Sequence, residues 1–218
     1  MEEVNMKALP IIACFIFLLF SFSGYGLYFT KTSIISIDIN PSIELNINRF
    51  DRVISINSYN DDGFQLINTI DIQFMNYMNA LNEILNTESI AMYLNQNETL
   101  SISIIGRNEQ ESKKILANIE ACIPNQQNIC CYMGNFDDVK EAHSVGLSFG
   151  KYRAFLELQK VNPDITIDDV KGLTMRQVRD LINNSKNAEI PPTSNENIEN
   201  NGNKHRHRYR HGTNESSK

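Results

Sequence analysis

Apolar and polar positions alternate with period two through three short stretches, SIISIDI (33–39), SIELNINRF (42–50) and RVISINSYN (52–60). Successive side chains on a strand point to opposite faces, so Ile35, Ile37 and Ile39 share one face of the first and Ile43, Leu45 and Ile47 one face of the second. Val53, Ile54 and Ile56 anchor the third. The turn-forming residues of NRFDR (48–52) and NDDG (60–63) separate and follow these strands, which predicts a β-meander. The period then changes. Ile70, Phe74, Tyr77, Met78, Leu81, Ile84 and Leu85 recur at helical spacing and predict an amphipathic helix. TLSISIIG (99–106) reads as another strand, and NEQESKKILANIEACI (108–123) as a helix opened by Asn108 with Glu111 three residues on. QNICCYM (127–133) predicts a short strand.

From Phe136 onward the pattern is helical: DDVKEAHSVGLS (137–148), FGKYRAFLELQKV (149–161), a turn at Asn162-Pro163-Asp164, then TIDDVKGLTMRQVRDLI (166–182). Thr166 with Asp169, and Thr174 with Gln177, have the spacing of helix N-caps. From Lys186 to Lys218 the chain is Asn, Ser, Pro and charge with almost no large aliphatic residue, so it is expected to be disordered. The expected class is α+β: a β-meander plus β-α-β-α domain over 32–135, a helical subdomain over 136–185 and a basic tail over 186–218.

Composition changes this picture in one place. Residues 8–29 carry no charge, lie between Lys7 and Lys31, and flatter the 41% hydrophobic content of the 218-residue chain. About 20 apolar residues span a bilayer as a helix, so one transmembrane helix is expected after a short N-terminus, 1–7. Small residues at Ser21, Ser23 and Gly24, after the apolar core Ile11–Phe20, leave a cleaved signal peptide as the rival. The aromatics Tyr25, Tyr28 and Phe29 suit an interfacial belt and favour an uncleaved anchor. The expected location is the cell membrane, single-pass, with everything after Lys31 extracytoplasmic.

Other chemistry is sparse. A net charge of −6 argues against nucleic acid as the main partner. Cys14 falls in the apolar run, leaving Cys122, Cys130 and Cys131. One of the neighbouring pair can cross-link to Cys122 in an oxidising compartment, but small buried hydrophobes are the favoured reading. No histidine or second cysteine pair stands at ligand spacing, so no metal is expected. GLSFGK (146–151) lacks the spacing of a phosphate loop, and His143 has no nucleophile paired with it. No cofactor is called for and no turnover enzyme is expected.

One feature conflicts with its surroundings. Asn40-Pro41 interrupts a strand pattern, although proline has no N–H for a ladder and restricts the residue before it. From the residues alone it reads as an edge-strand or turn element. The string around it is more specific. SIDINPSIELNINRFDRVISINSYNDDG (36–63) closely resembles the start of the extracytoplasmic domain of the RsgI family, the membrane-bound anti-sigma factors of SigI-type sigma factors in Firmicutes. Asp38-Ile39-Asn40-Pro41-Ser42, Glu44-Leu45, Asn48, Val53 and Asn60-Asp61-Asp62-Gly63 carry the resemblance, which covers residues 8–185.

The resemblance implies spontaneous autoproteolysis of the Asn40–Pro41 bond, with the two fragments held together as one domain. Separating them would expose the membrane stub to an intramembrane protease and release the sigma factor. The chemistry suits the residues. The Asn40 side-chain amide attacks its own backbone carbonyl, and proline removes the competing attack by a following N–H. Asp38, Ser42 and Glu44 are the nearest candidates to assist, with Asp38 favoured by period-two geometry. At most this is a single-turnover reaction.

Two features depart from the family. Only Met1–Lys7 precede the apolar run, too few for the family's cytoplasmic sigma-binding domain. That domain is expected to be a separate polypeptide, to lie in a further upstream extension of the frame, or to be lost in a relative that kept only the sensor. In place of a C-terminal carbohydrate-binding module stands KHRHRYRHG (204–212), where His205, His207 and His211 alternate with arginines. It is either a solvated tail or a contact for a cell-wall polyanion. The second function class is accordingly an anchored or secreted wall- or polyanion-binding module without anti-sigma activity.

Overall fold

The computed structural model describes residues 9–123 and 128–188. It begins with helix α1 (Leu9–Phe29), whose Pro10–Phe29 stretch has a mean hydropathy of 2.0 and no buried residue. That is long and apolar enough to cross a membrane, and compatible with a single-pass anchor. After Thr30 come β1 (Lys31–Asp38), β2 (Ser42–Asn48) and β3 (Val53–Ser58), the expected meander. Helices α2 (Asp61–Ile67), α3 (Tyr77–Leu85) and α4 (Glu88–Asn95) lead to β4 (Leu100–Ile105). Then follow α5 (Glu109–Cys122), β5 (Ile129–Met133), α6 (Phe136–Ser144), α7 (Phe149–Val161), α8 (Ile167–Lys171) and α9 (Met175–Ala188). The fold is α+β, as the patterning indicates.

The sheet order is β3-β2-β1-β4-β5, with β1 in the centre. Its pairs are antiparallel except β4–β5, which run parallel and are joined by the α5 crossover that a parallel pair requires. One face is apolar. Ile35, Ile37 and Ile39 of β1 and its end meet Ile43, Leu45 and Ile47 of β2 and Ile102 and Ile104 of β4, beneath Leu81 and Ile84 of α3 and Ile115 and Ile119 of α5. The other face is largely polar, yet buried. Ser36, Asp38, Glu44 and Ser103 lie on it beneath α7. The alternation is legible in sequence, but the strands are covered on both sides.

Two elements differ from the sequence expectation. The helical spacing from Ile70 breaks before Tyr77, where Asn76 caps α3 by accepting from Met78 N–H. Upstream, the chain runs beside β3 instead: Val53 N–H donates to Met75 O, and Phe74 N–H to Val53 O. Phe74 itself adopts φ 63°, which no helix tolerates. Asn60-Asp61-Asp62-Gly63, expected as a turn, is a cap followed by the first turn of α2, with the Asn60 side chain accepting from Gly63 N–H. A Cβ at Gly63 would stand 2.5 Å from the Ser42 carbonyl, so only glycine lets α2 approach β2 there.

The other expected caps are present. Asn108 accepts from Glu111 N–H, Thr166 and Asp169 form a full capping box, and Thr174 and Gln177 bond reciprocally. Helices α7 and α9 share a core of Phe155, Leu158, Val178 and Ile182. They are tied to β5 at Tyr132, whose ring lies 3.8 Å beneath the Arg153 guanidinium and whose hydroxyl accepts from Arg179. The cysteines are free: Cys131 packs against the main core, where burial pushes its thiol up to about 11, while Cys122 is exposed.

Candidate functional site

The hairpin loop Ile39-Asn40-Pro41 joins β1 to β2 at the sheet end away from α1. Ile39 N–H donates across it to Pro41 O, and the Ile39 carbonyl accepts from Met175 N–H at the start of α9. The loop is therefore pinned from both sides, and proline costs no ladder bond there because it stands in the turn.

The Asn40 side chain is held at both ends. Its Nδ2 donates to Asp62 Oδ2 at 2.7 Å, and its Oδ1 accepts from Asn60 Nδ2 at 2.7 Å. Asn60 Oδ1 in turn accepts from Ser42 N–H and Gly63 N–H, so the cap of α2 also fixes the start of β2. The Tyr93 hydroxyl reaches Asp62 Oδ2 at 3.4 Å. The donor on the amide oxygen makes the N–H more acidic, and the carboxylate that accepts that N–H is placed to take the proton as the nitrogen attacks, which is the position of a general base.

The three helpers expected from sequence lie differently. Asp38 and Glu44 are fully buried on the polar face of the sheet, where they receive the N-terminus of α7. Asp38 accepts from the hydroxyls of Ser36, at 2.7 Å, and Ser148. Glu44 Oε1 accepts from Phe149 N–H at 2.7 Å. Glu44 Oε2 accepts from the Tyr59 hydroxyl at 3.0 Å and lies 2.8 Å from His143 Nε2. A Cβ at Gly150 would collide with Asp38 Oδ2, so glycine permits this approach. The positive end of the helix dipole offsets part of the cost of burying two carboxylates. Ser42 contributes its backbone N–H to the Asn60 clamp. The carboxylate that touches Asn40 is thus Asp62's, while Asp38 and Glu44 bind α6 and α7.

Burial raises the Asp38 carboxyl from 3.8 to about 6; the hydroxyls of Ser148, Ser36 and Ser42 pull it down, and Glu44 pushes it further up. The folded pKa exceeds the unfolded one, so between these values the folded protein holds a proton that the unfolded chain has lost. Stability therefore rises as pH falls through 6 and the gain saturates near 4. A shift of about two units corresponds to roughly 3 kcal/mol at most. Besides Glu44, Lys151 faces this carboxyl; burial lowers its ammonium, which donates to Lys171 O. Urea midpoints at pH 7 and pH 5 should show wild type gaining stability on acidification and Asp38→Asn gaining markedly less. Equal gains would remove Asp38 as the source.

Asn60 and Asp62 escaped the sequence reading as site residues because their partner stands about twenty positions away. His143, without a paired nucleophile in the sequence, stacks its ring 5.2 Å from that of Tyr59 over the polar face. The basic tract 204–211 lies outside the described residues. Among the described residues no cluster of histidine, cysteine or carboxylate suits a metal.

Residues 32–157 match the family model described as the anti-sigma factor RsgI-like central domain. Three curated proteins of Acetivibrio thermocellus are similar to the chain. Anti-sigma-I factor RsgI5 is 24% identical over 86% of this chain and 44% of its own length. Anti-sigma-I factor RsgI9 is 25% identical over 73% and 24%, and anti-sigma-I factor RsgI7 24% identical over 76% and 32%. The chain thus spans less than half the length of these relatives.

Proposed function

The chain belongs to the family of anti-sigma factor RsgI-like central domains, and from that premise we propose that it is a membrane-anchored relay in sigma-factor signalling whose domain cuts itself between Asn40 and Pro41. The observation that carries the cleavage is the clamp on the Asn40 amide: Asp62 accepts from Nδ2 and Asn60 donates to Oδ1. In the reaction Nδ2 bonds to the backbone carbonyl carbon of Asn40 and gives a proton to Asp62. The bond to Pro41 breaks, and the proline nitrogen takes up a proton and leaves as a secondary amine. Water later opens the succinimide left at Asn40. Pro41 and Asp62 wall an open groove of about 600 Å³, which gives water a route to that ring.

After cleavage, β1 stays between β2 and β4, held by both ladders. The two pieces therefore remain one folded domain until something pulls them apart. Pulling β1 out leaves a short membrane stub as the substrate of an intramembrane protease, and its removal frees a sigma factor of SigI type. The partner is reached through a cytoplasmic sigma-binding segment, and the domain faces the outside of the cell. The protein is regulatory: it breaks one bond once and turns over no substrate.

The full chain, purified from membranes in detergent, should give two species by denaturing gel and intact mass, one beginning at Pro41. A single uncut species after prolonged incubation overturns the cleavage. Co-purification of a SigI-type sigma factor from the same membranes, directly or through a small cytoplasmic protein, checks the signalling role.

A further inference from the structure

The opposite end of the domain, where α1 leaves it, carries an unusual surface. Phe50, in the β2–β3 turn, is 54% exposed, and Phe74, in the segment before α3, is 44% exposed. These two rings do not stand alone. Phe50 lies 6.0 Å from Tyr28 in a stacked arrangement, and Phe74 lies 6.1 Å from Phe29 and 6.2 Å from Tyr28. Two residues of the folded domain thus extend the aromatic collar of the apolar helix.

The backbone holds them there. A single residue, Thr30, separates α1 from β1, and Asn48 Nδ2 donates to the Tyr28 carbonyl at 2.8 Å, tying the β2–β3 turn to the helix end. Asp51, next to Phe50, has φ 59°, and Phe74 has φ 63°. A left-handed backbone is costly for a bulky residue. Glycine would avoid that cost, and a polar residue would avoid the exposed ring, so the position is arranged for an aromatic side chain facing outward. The flanking cations suit a headgroup layer. Lys31 at the end of α1, and Arg49 and Arg52 on either side of Phe50 and Asp51, are exposed, Arg52 reaching the Phe74 carbonyl; of the acids near in sequence, Asp51 lies 3.9 Å from Lys114, and Asp71 is exposed. Aromatic rings prefer the depth between headgroups and acyl chains.

We propose that Phe50 and Phe74 insert into the interfacial layer of the bilayer that α1 crosses, so that the domain rests on the membrane surface instead of hanging from a tether. The occupant of this face is lipid because the face continues the surface of the membrane helix without a gap. The inference rests on the anchored reading of α1. On the cleavage reading, both rings belong to the fragment that begins at Pro41, and they give that fragment a hold on the membrane independent of β1.

The chain contains no tryptophan, so a single substituted tryptophan reports alone. Full chains carrying Phe50→Trp, Phe74→Trp, Phe20→Trp in the middle of α1, or Phe64→Trp would be reconstituted into phosphatidylcholine vesicles that mix lipids brominated near the headgroup with lipids brominated deep along the acyl chains. Phe64 is 58% exposed on α2, at the Asn40 end of the domain, and serves as the distant reference. Quenching of at least twofold with blue-shifted emission is expected for Phe50→Trp and Phe74→Trp, quenching also for Phe20→Trp, and none for Phe64→Trp. If the tryptophans at 50 and 74 behave like the one at 64 while that at 20 is quenched, docking fails and the anchor stands. If the tryptophan at 20 is not quenched, the anchor fails and the docking with it.

Discussion

Replacing Asp62 with asparagine is expected to slow the appearance of the fragment that begins at Pro41 by about 100-fold or more, the usual contribution of a positioned general base. Asparagine has nearly the same shape, but it cannot take the proton from Asn40 Nδ2, which now stands 2.7 Å from a carboxylate oxygen. Asp62 is only partly buried, so the folded protein should lose less than about 1 kcal/mol. Asn60→Ala removes the donor to Asn40 Oδ1 and the cap of α2 together; it should slow cleavage and also cost about 1 kcal/mol. Asn40→Ala has no side-chain nucleophile and should not cleave at all. Asp38→Asn is the informative control, because its carboxylate is engaged with Ser36 and Ser148 on the polar face. The measurement is the time course of fragment formation after refolding from denaturant, followed by intact mass. Equal rates for wild type and Asp62→Asn would leave Asn40 without a base and return the helper role to Asp38, Ser42 or Glu44.

What was legible in the sequence was local. The meander follows from period-two runs, and the caps at Asn108, Thr166 and Thr174 follow from three-residue spacings, because each is decided within one turn of chain. The helix start was misread at Ile70 because Phe74 falls at helical spacing from Ile70 and Met78, and spacing carries no information about a backbone at φ 63°. The polar face of β1 and β2 reads as solvent-facing. It is buried because α7, about 105 positions further on, presents Phe149 N–H, Gly150 N–H and the Ser148 hydroxyl to Glu44, Ser36 and Asp38. Asn40-Pro41 stood out because proline contradicts a strand. Its clamp did not, because Asn60-Asp61-Asp62-Gly63 has the composition of any turn until α2 is placed against β2.

That polar face sets the second large effect. Glu44→Ala is expected to destabilise the domain by about 3–5 kcal/mol, the cost of stripping one partner from a buried charged network. The carboxylate has no exposed surface and accepts from Phe149 N–H and the Tyr59 hydroxyl, with His143 Nε2 at 2.8 Å. Its removal orphans a backbone donor at the buried start of α7, and alanine leaves a void where the side chain stood. Glu44→Gln keeps the volume and one carbonyl acceptor, so it should cost about half as much. The loss should be concentrated in α6 and α7, visible as faster amide exchange there than in α5, which packs on the apolar face. The arrangement bears on signalling because the start of α7 grips both strands of the hairpin: Ser36 and Asp38 on β1, Glu44 on β2. If the Asn40–Pro41 bond is cut, the Ser148–Asp38 and Gly150–Ser36 contacts are among those that join the two fragments. Weakening α7 should then lower the force at which β1 is drawn out, and single-molecule pulling on cut Glu44→Ala should release β1 at lower force than cut wild type. A urea midpoint for Glu44→Ala within about 1 kcal/mol of wild type would mean that α7 is held by its apolar contacts alone.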